Sequence, residues 1–157
     1  MTDPLVNAAR HMFDRSASEM RACIEGAPAE ALNWRPAGPD TNSIAVLAVH
    51  SMHSTRSWLS VAMGVPEPAR DRDAEFVAEA EDVPDLLGFF DSMSDDCRRV
   101  LAVEDVIDWS AERSPSRRPG SATDPPTAGW ALMHSLEHLR EHVAHMQLTR
   151  QLWDARE

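Results

Sequence analysis

Apolar positions recur at helical spacing in four stretches of the chain, and nowhere do they alternate with the period of two that a half-buried strand requires. In the first stretch Leu5, Ala8, Ala9, Met12, Phe13, Met20 and Ile24 follow one another at helical intervals. Thr2-Asp3-Pro4 supplies a capping side chain, an early acid and a proline whose missing N–H costs nothing, while Gly26 and Pro28 close the segment. Residues 27–41, with Pro28, Pro36, Gly38 and Pro39 around Asn33-Trp34-Arg35, read as a connection in which Trp34 plugs one end of the core.

A second helix opens at the capping cluster Thr41-Asn42-Ser43 and runs to about Met63, where Gly64 and Pro66 stop it. At about 100° per residue, Ile44, Leu47, Ala48, Trp58, Leu59 and Ala62 share one buried face. Residues 64–82 are polar and acidic and predict a long surface crossover with at most a turn of helix around Phe76. From Pro84 onward Leu86, Leu87, Phe89, Phe90, Met93, Cys97, Val100 and Leu101 mark a third helix, which Gly88 weakens only mildly. Residues 104–124 shift to Ser, Arg, Pro and Gly and predict an exposed mobile loop centred on 114–120. A last helix follows Pro125-Pro126-Thr127 and reaches about Trp153. Four amphipathic segments with at least two long connections predict an all-α four-helix bundle, a single domain over 1–157, with strand content near zero.

Composition narrows the chemistry. The 157 residues are 43% hydrophobic and 26% charged, enough for one core of their own. With 15 basic against 26 acidic side chains the net charge is -11, which repels phosphate backbones and anionic bilayers, so neither nucleic acid nor a membrane is expected as a partner. The chain has no Lys and no Tyr, which excludes Schiff-base lysine and tyrosine proton-transfer chemistry. Two cysteines, Cys23 and Cys97, sit at helix-core spacing and read as packing groups rather than ligands or nucleophiles. No secretory n-region opens the chain and no stretch approaches the roughly 20 apolar residues of a membrane span, so a reduced, cytoplasmic protein is expected.

Six of the seven histidines lie on two helices: His50 and His53 on the second, and His134, His138, His142 and His145 on the last. His134, His138 and His142 repeat every fourth residue, so successive rings differ by about 40° around the axis and climb one face. Any adjacent pair in this ladder can grip one cation. The same arithmetic puts Leu132, Leu136, Leu139, Val143 and Met146 on an apolar sector with His138, His142 and His145 along its flank. On the second helix His50 lies beside the apolar face, whereas His53 points toward polar surface, which makes His50 the inward candidate. Neutral imidazole is a common ligand for zinc, nickel, iron and copper, and three of them leave a position open for water or substrate. Metal affinity held by imidazoles is expected to weaken below pH about 6.5. Other metal patterns fail: Glu137 and Glu141 are followed at the third place by Arg140 and Ala144, not by the His of a di-iron bundle, and no zinc-protease motif is present.

Several of these pieces together resemble the DinB-like (YfiT-like) metalloenzymes: Asn33-Trp34-Arg35-Pro36, Asn42-Ser43-Ile44-Ala45, His50 with Arg56 and Trp58, Arg70-Asp71-Arg72-Asp73-Ala74-Glu75-Phe76, and Glu137-His138-Leu139-Arg140-Glu141-His142 leading into Gln147-Leu148-Thr149-Arg150-Gln151-Leu152. The resemblance spans nearly the whole chain. It implies an up-down-down-up bundle, commonly a homodimer, with a divalent metal on His50, His138 and His142. Zinc or nickel is the leading metal, with iron or manganese as alternatives. Relatives often carry His-x-Gly-Gln at the last ligand, where this chain has His142-Val143-Ala144-His145. That departure leaves room for His145 at the metal and keeps a His134–His138 pairing as a competitor. Some relatives are transferases and isomerases that use low-molecular-weight thiols such as mycothiol or bacillithiol.

These residues predict a metal-dependent enzyme that activates a thiol or water for transfer to, or isomerisation or hydrolysis of, a small electrophilic substrate. Glu141, close in angle to the histidine flank, and His145 are the candidate base or ring-orienting groups. Arg56 is expected to pair with an acid and Trp58 to pack. The alternative is a bundle that binds a metal or small ligand without catalysing a reaction.

Overall fold

A computed structural model describes residues 3–102, 106–116 and 125–156. Four long helices carry it: α1 (Pro4–Glu25), α3 (Ile44–Met63), α5 (Val83–Leu101) and α6 (Ala128–Asp154). Two single-turn helices, α2 (Ala29–Leu32) and α4 (Arg72–Glu75), and a 3-10 turn at Gly38–Asp40 sit in the connections. Among the described residues extended pairing is confined to one isolated bridge, Glu112 with Thr127. No described helix is long and apolar enough to cross a membrane.

Side-chain caps set the helix starts. Asp3 accepts from the backbone N–H groups of Leu5 and Val6, Ser43 from Val46, Asp82 from Asp85 and Thr127 from Trp130, each satisfying a donor that the first turn leaves free. Thr2 lies outside the described residues. Gly64 ends α3 in the left-handed region at φ 69°, where a side chain is disfavoured.

Contacts fix the helix directions. α1 is antiparallel to α5, with Arg10 donating to the Leu101 carbonyl and Arg21 to Asp91, and parallel to α6, where Glu19 meets Arg140 and Gly26, just past the end of α1, lies beside Arg150. α6 is antiparallel to α3, with Trp58 against Trp130 and His50 against His138 and His142. The order is therefore up-down-down-up, the bundle topology expected. α3 and α5 run parallel, so the chain between them must return along the roughly 30 Å length of a 20-residue helix. This is why 64–82 is long.

α1 and α3 each pack between α5 and α6. α1 buries a narrow stripe, Val6, Ala9, Phe13, Ala17, Met20 and Ile24; Leu5, Ala8 and Met12, expected on that face, turn outward because only two helices cover α1. α3 is buried on nearly every side, since the crossover adds a third cover. The apolar sector of α6 is as expected, with Leu132, Leu136, Leu139, Val143 and Met146 all buried.

Segment 27–41 is more ordered than a plain connection. Ala31 and Leu32 of α2 are buried, and the Asn33 side chain exchanges two hydrogen bonds with the Ala80 backbone, both 2.9 Å. Trp34 is only half-buried and meets Trp153 edge-on at 5.6 Å, so it caps the bundle end rather than filling it. Of the expected loop at 104–124, residues 104, 105 and 117–124 lie outside the described residues. Its part at 106–116 is tied to the crossover by Glu67, which accepts from Ser57 and from the Ser116 N–H and hydroxyl.

Candidate metal centre

α3 and α6 face each other with their imidazoles in register. His50, His138 and His142 each offer a ring nitrogen within 4.8 Å of the others. His50 is buried, and His138 and His142 are half-buried. The ring centroid of His50 lies 5.3 Å from that of His138 and 5.1 Å from that of His142. His138 and His142 place their Nε2 atoms 3.2 Å apart, because four residues along a helix return a side chain to nearly the same azimuth one turn up.

Electrostatics keep these rings unprotonated. Burial, with the neighbouring His142 and His50 rings, pushes His138 down to about 3. Burial, with His50 and His145, pushes His142 down to about 4. Both rings therefore keep a lone pair available at neutral pH, as metal ligation requires.

The third ring is held differently. His50 Nδ1 lies 2.9 Å from the Glu75 carboxylate, and Arg70 donates to the same carboxylate through Nε at 2.6 Å and Nη2 at 2.8 Å. Burial pushes the Glu75 carboxyl up, but the hydrogen bonds and charges of Arg70 and His50 outweigh it and hold the group at about 2. An ionised carboxylate only accepts, so Nδ1 of His50 carries the proton. In the neutral ring Nε2 is then the free donor atom, the tautomer that a carboxylate–histidine–metal arrangement needs.

Glu75 is the functional residue that sequence reasoning missed. Within the polar, acidic stretch 64–82 it has the look of a solvated charge, yet its side chain is 3% exposed. Asp71 caps α4 by accepting from the Ala74 N–H, which turns Glu75 inward, and the Phe76 ring packs 4.5 Å from the His50 ring. Asn33 fixes Ala80, while Arg35 donates to the carbonyls of Phe76 and Thr41. The Asn33-Trp34-Arg35 tripeptide thus clamps the crossover over α3. The available signal was a Glu-Phe pair closing a capped turn with Arg70 five residues upstream.

Other candidates take different places. His134 is half-buried between Trp58 and Trp130, with ring centroids 4.9 and 4.6 Å away, and burial lowers its pKa. It stands 5.8 Å from His138 by ring centroid but does not join the close-set nitrogens. His145 is exposed, its ring 5.7 Å from that of His142, and Glu141 is exposed on the outer face of α6. His53 is not at polar surface: α5 covers it, the Phe89 ring lies 5.5 Å away, and burial lowers its pKa. Trp58 packs as expected. Arg56 pairs with no acid among the described residues and donates instead to the Ser60 hydroxyl one turn on. Cys97 is fully buried, its thiol pushed up to about 12 by burial, and Cys23 is half-buried and likewise raised.

The residues fit a divalent cation. The His138–His142 nitrogen pair at 3.2 Å matches the roughly 3.3 Å edge of a tetrahedron with metal–nitrogen bonds of about 2.0–2.1 Å, and the His50 nitrogen lies within 4.8 Å of both. The donor set, all imidazole, suits zinc, nickel or iron better than magnesium or calcium, which prefer oxygen. Three protein ligands leave a position for a reactant.

The mycothiol-S-transferase family profile matches residues 8–155. No curated protein sequence matches the chain. Among solved structures the chain is similar to one described as the conserved protein of locus from Enterococcus faecalis, with 13% identity, a TM-score of 0.73 and 99% of each chain covered. At that identity the likeness speaks for the helical bundle alone.

Proposed function

Because the chain belongs to the mycothiol-S-transferase family, a DinB/YfiT-like group, we propose that it is a divalent-metal-dependent enzyme transferring a low-molecular-weight thiol, mycothiol in the first instance, to a small electrophile. The observation that carries this reading is the convergence of His50, His138 and His142, with Glu75 fixing the His50 tautomer. A cation held there supplies Lewis acidity that makes a thiol ionise near neutral pH. His50, His138 and His142 are the residues that would hold it. Arg70 and Glu75 orient His50, and the Phe76 ring beside it keeps water from the buried side of the imidazole. Cys97 takes no part as nucleophile, since a thiol held at about 12 is protonated. We assign uptake of the thiol proton to His145, whose exposed ring lies 5.7 Å from that of His142, with Glu141, exposed on the outer face of α6, as the second candidate.

The test is conjugation of mycothiol to 1-chloro-2,4-dinitrobenzene by zinc-loaded protein, in which sulfur bonds to the ring carbon and chloride leaves. Turnover that stops on chelation and returns with added metal supports the reading. No turnover with mycothiol or several other thiols leaves a metal- or ligand-binding bundle.

A further inference from the structure

Beyond the imidazole cluster, on the same face of α3 and α6, lies a cavity of about 230 Å³. Its apolar walls are Pro36, Leu47, Leu148 and Leu152, with Asn42 and His145 among its polar groups, and no acid or arginine lines it. Leu148 and Leu152 are 53% and 44% exposed, an unfavourable place for two large apolar side chains unless something covers them.

The cavity adjoins the candidate centre through His145, although none of His50, His138 and His142 lines it. His145 lines it and lies 5.7 Å by ring centroid from His142, while Leu47 stands one helical turn before His50. Along α6 the sequence His142, His145, Leu148, Leu152 steps out of the imidazole ladder directly into the groove. Thr41, Asn42, His145 and Thr149 are its polar side chains, but most of the exposed wall is apolar. A hydrocarbon chain finds a lining of matching chemistry.

The geometry points to this groove as the seat of the electrophile's hydrocarbon tail. The substrate is a small electrophile on a short apolar chain, its reactive carbon at the imidazole end. This rests on the reading of His50, His138 and His142 as the reacting centre.

Two measurements on zinc-loaded protein separate the two ideas. The first follows addition of mycothiol to but-2-enal, hex-2-enal and oct-2-enal. In each, sulfur bonds to the β carbon, the displaced π pair passes to the α carbon, and that carbon takes up a proton. The expected result is a rise in kcat/KM of roughly fourfold per methylene, carried by KM, until the groove is full. The second, which needs no turnover, measures binding of 1-butanol, 1-hexanol and 1-octanol by calorimetry, where the same rise with length is expected. Leu148→Arg and, separately, Leu152→Arg flatten both series, and their exposed positions leave the fold intact by circular dichroism. Met12→Ser, remote on α1, leaves the gradients in place. Equal binding of butanol and octanol, or a gradient that survives both arginine substitutions, overturns the proposal. So does self-association abolished by Leu148→Arg in a protein that binds no alcohol, because the groove then seats a second copy. An intact alcohol gradient in a protein that turns over neither an enal nor 1-chloro-2,4-dinitrobenzene upholds the groove as an apolar site and overturns the transferase reading instead.

Discussion

The Glu75 carboxylate accepts a hydrogen bond from His50 Nδ1 at 2.9 Å across 25 residues of sequence, and both side chains are withdrawn from water. This pairing joins the crossover to the candidate centre, because the group that fixes the ligand's tautomer lies on a different segment from any ligand.

Replacing the carboxylate tests that link. Glu75→Gln keeps the shape but loses the charge, so it frees the His50 tautomer and leaves Arg70 without its partner. The expected loss in zinc affinity is about 10- to 100-fold, measured by competition against a chromogenic chelator. The same affinity as the unaltered protein would make Glu75 a purely structural residue.

Acid is expected to destabilise the metal-free protein in two overlapping stages. His138 and His142 have folded pKa values of about 3 and 4, below the 6.5 of a free imidazole. The unfolded chain therefore takes up protons below pH 6.5 that the fold refuses, and stability falls from there down to the folded values. Glu75, at about 2 against 4.5, stabilises the fold fully above pH 4.5, and that contribution is lost as pH falls toward 2. Denaturant midpoints between pH 8 and 2 check both, and Glu75→Gln removes only the lower stage. The sequence alone put the loss of metal affinity below pH about 6.5. Burial moves proton competition at His138 and His142 to more acidic solution.

Asn33 is expected to matter although it ligates nothing. Asn33→Ala removes two hydrogen bonds to Ala80, worth about 1–2 kcal/mol together, and releases the crossover that carries Glu75. Hydrogen exchange should quicken across 72–80 while α1 and α5 stay protected.

Neither cysteine is expected to serve the reaction. Cys97 should resist maleimide labelling until the protein unfolds, since its thiol is fully buried and held at about 12. Cys23→Ala should keep full turnover in the thiol-transfer assay.

The four long helices were legible in the sequence because their signals are local: apolar residues three and four apart, bounded by Asp3, Ser43, Gly64 and Thr127. The imidazole ladder of α6 was legible for the same reason, and the choice of His50 followed from its place beside the apolar face of α3. What stayed hidden depends on contacts distant in sequence. Glu75 reads as a solvated charge until Asn33 and Arg35 pull the crossover onto α3. His53 reads as a surface residue because a helical wheel does not know that α5 covers that side. Arg56 reads as an ion-pair partner, yet packing gives it a serine hydroxyl one turn away.

Metal content most directly tests whether three imidazoles share one ion. Elemental analysis of purified protein is expected to find close to one zinc or nickel per chain, falling to near zero in His50→Ala, His138→Ala and His142→Ala while each variant remains folded, and staying near one in His134→Ala. Metal retained by all three variants, or lost only with His134, would contradict the assignment.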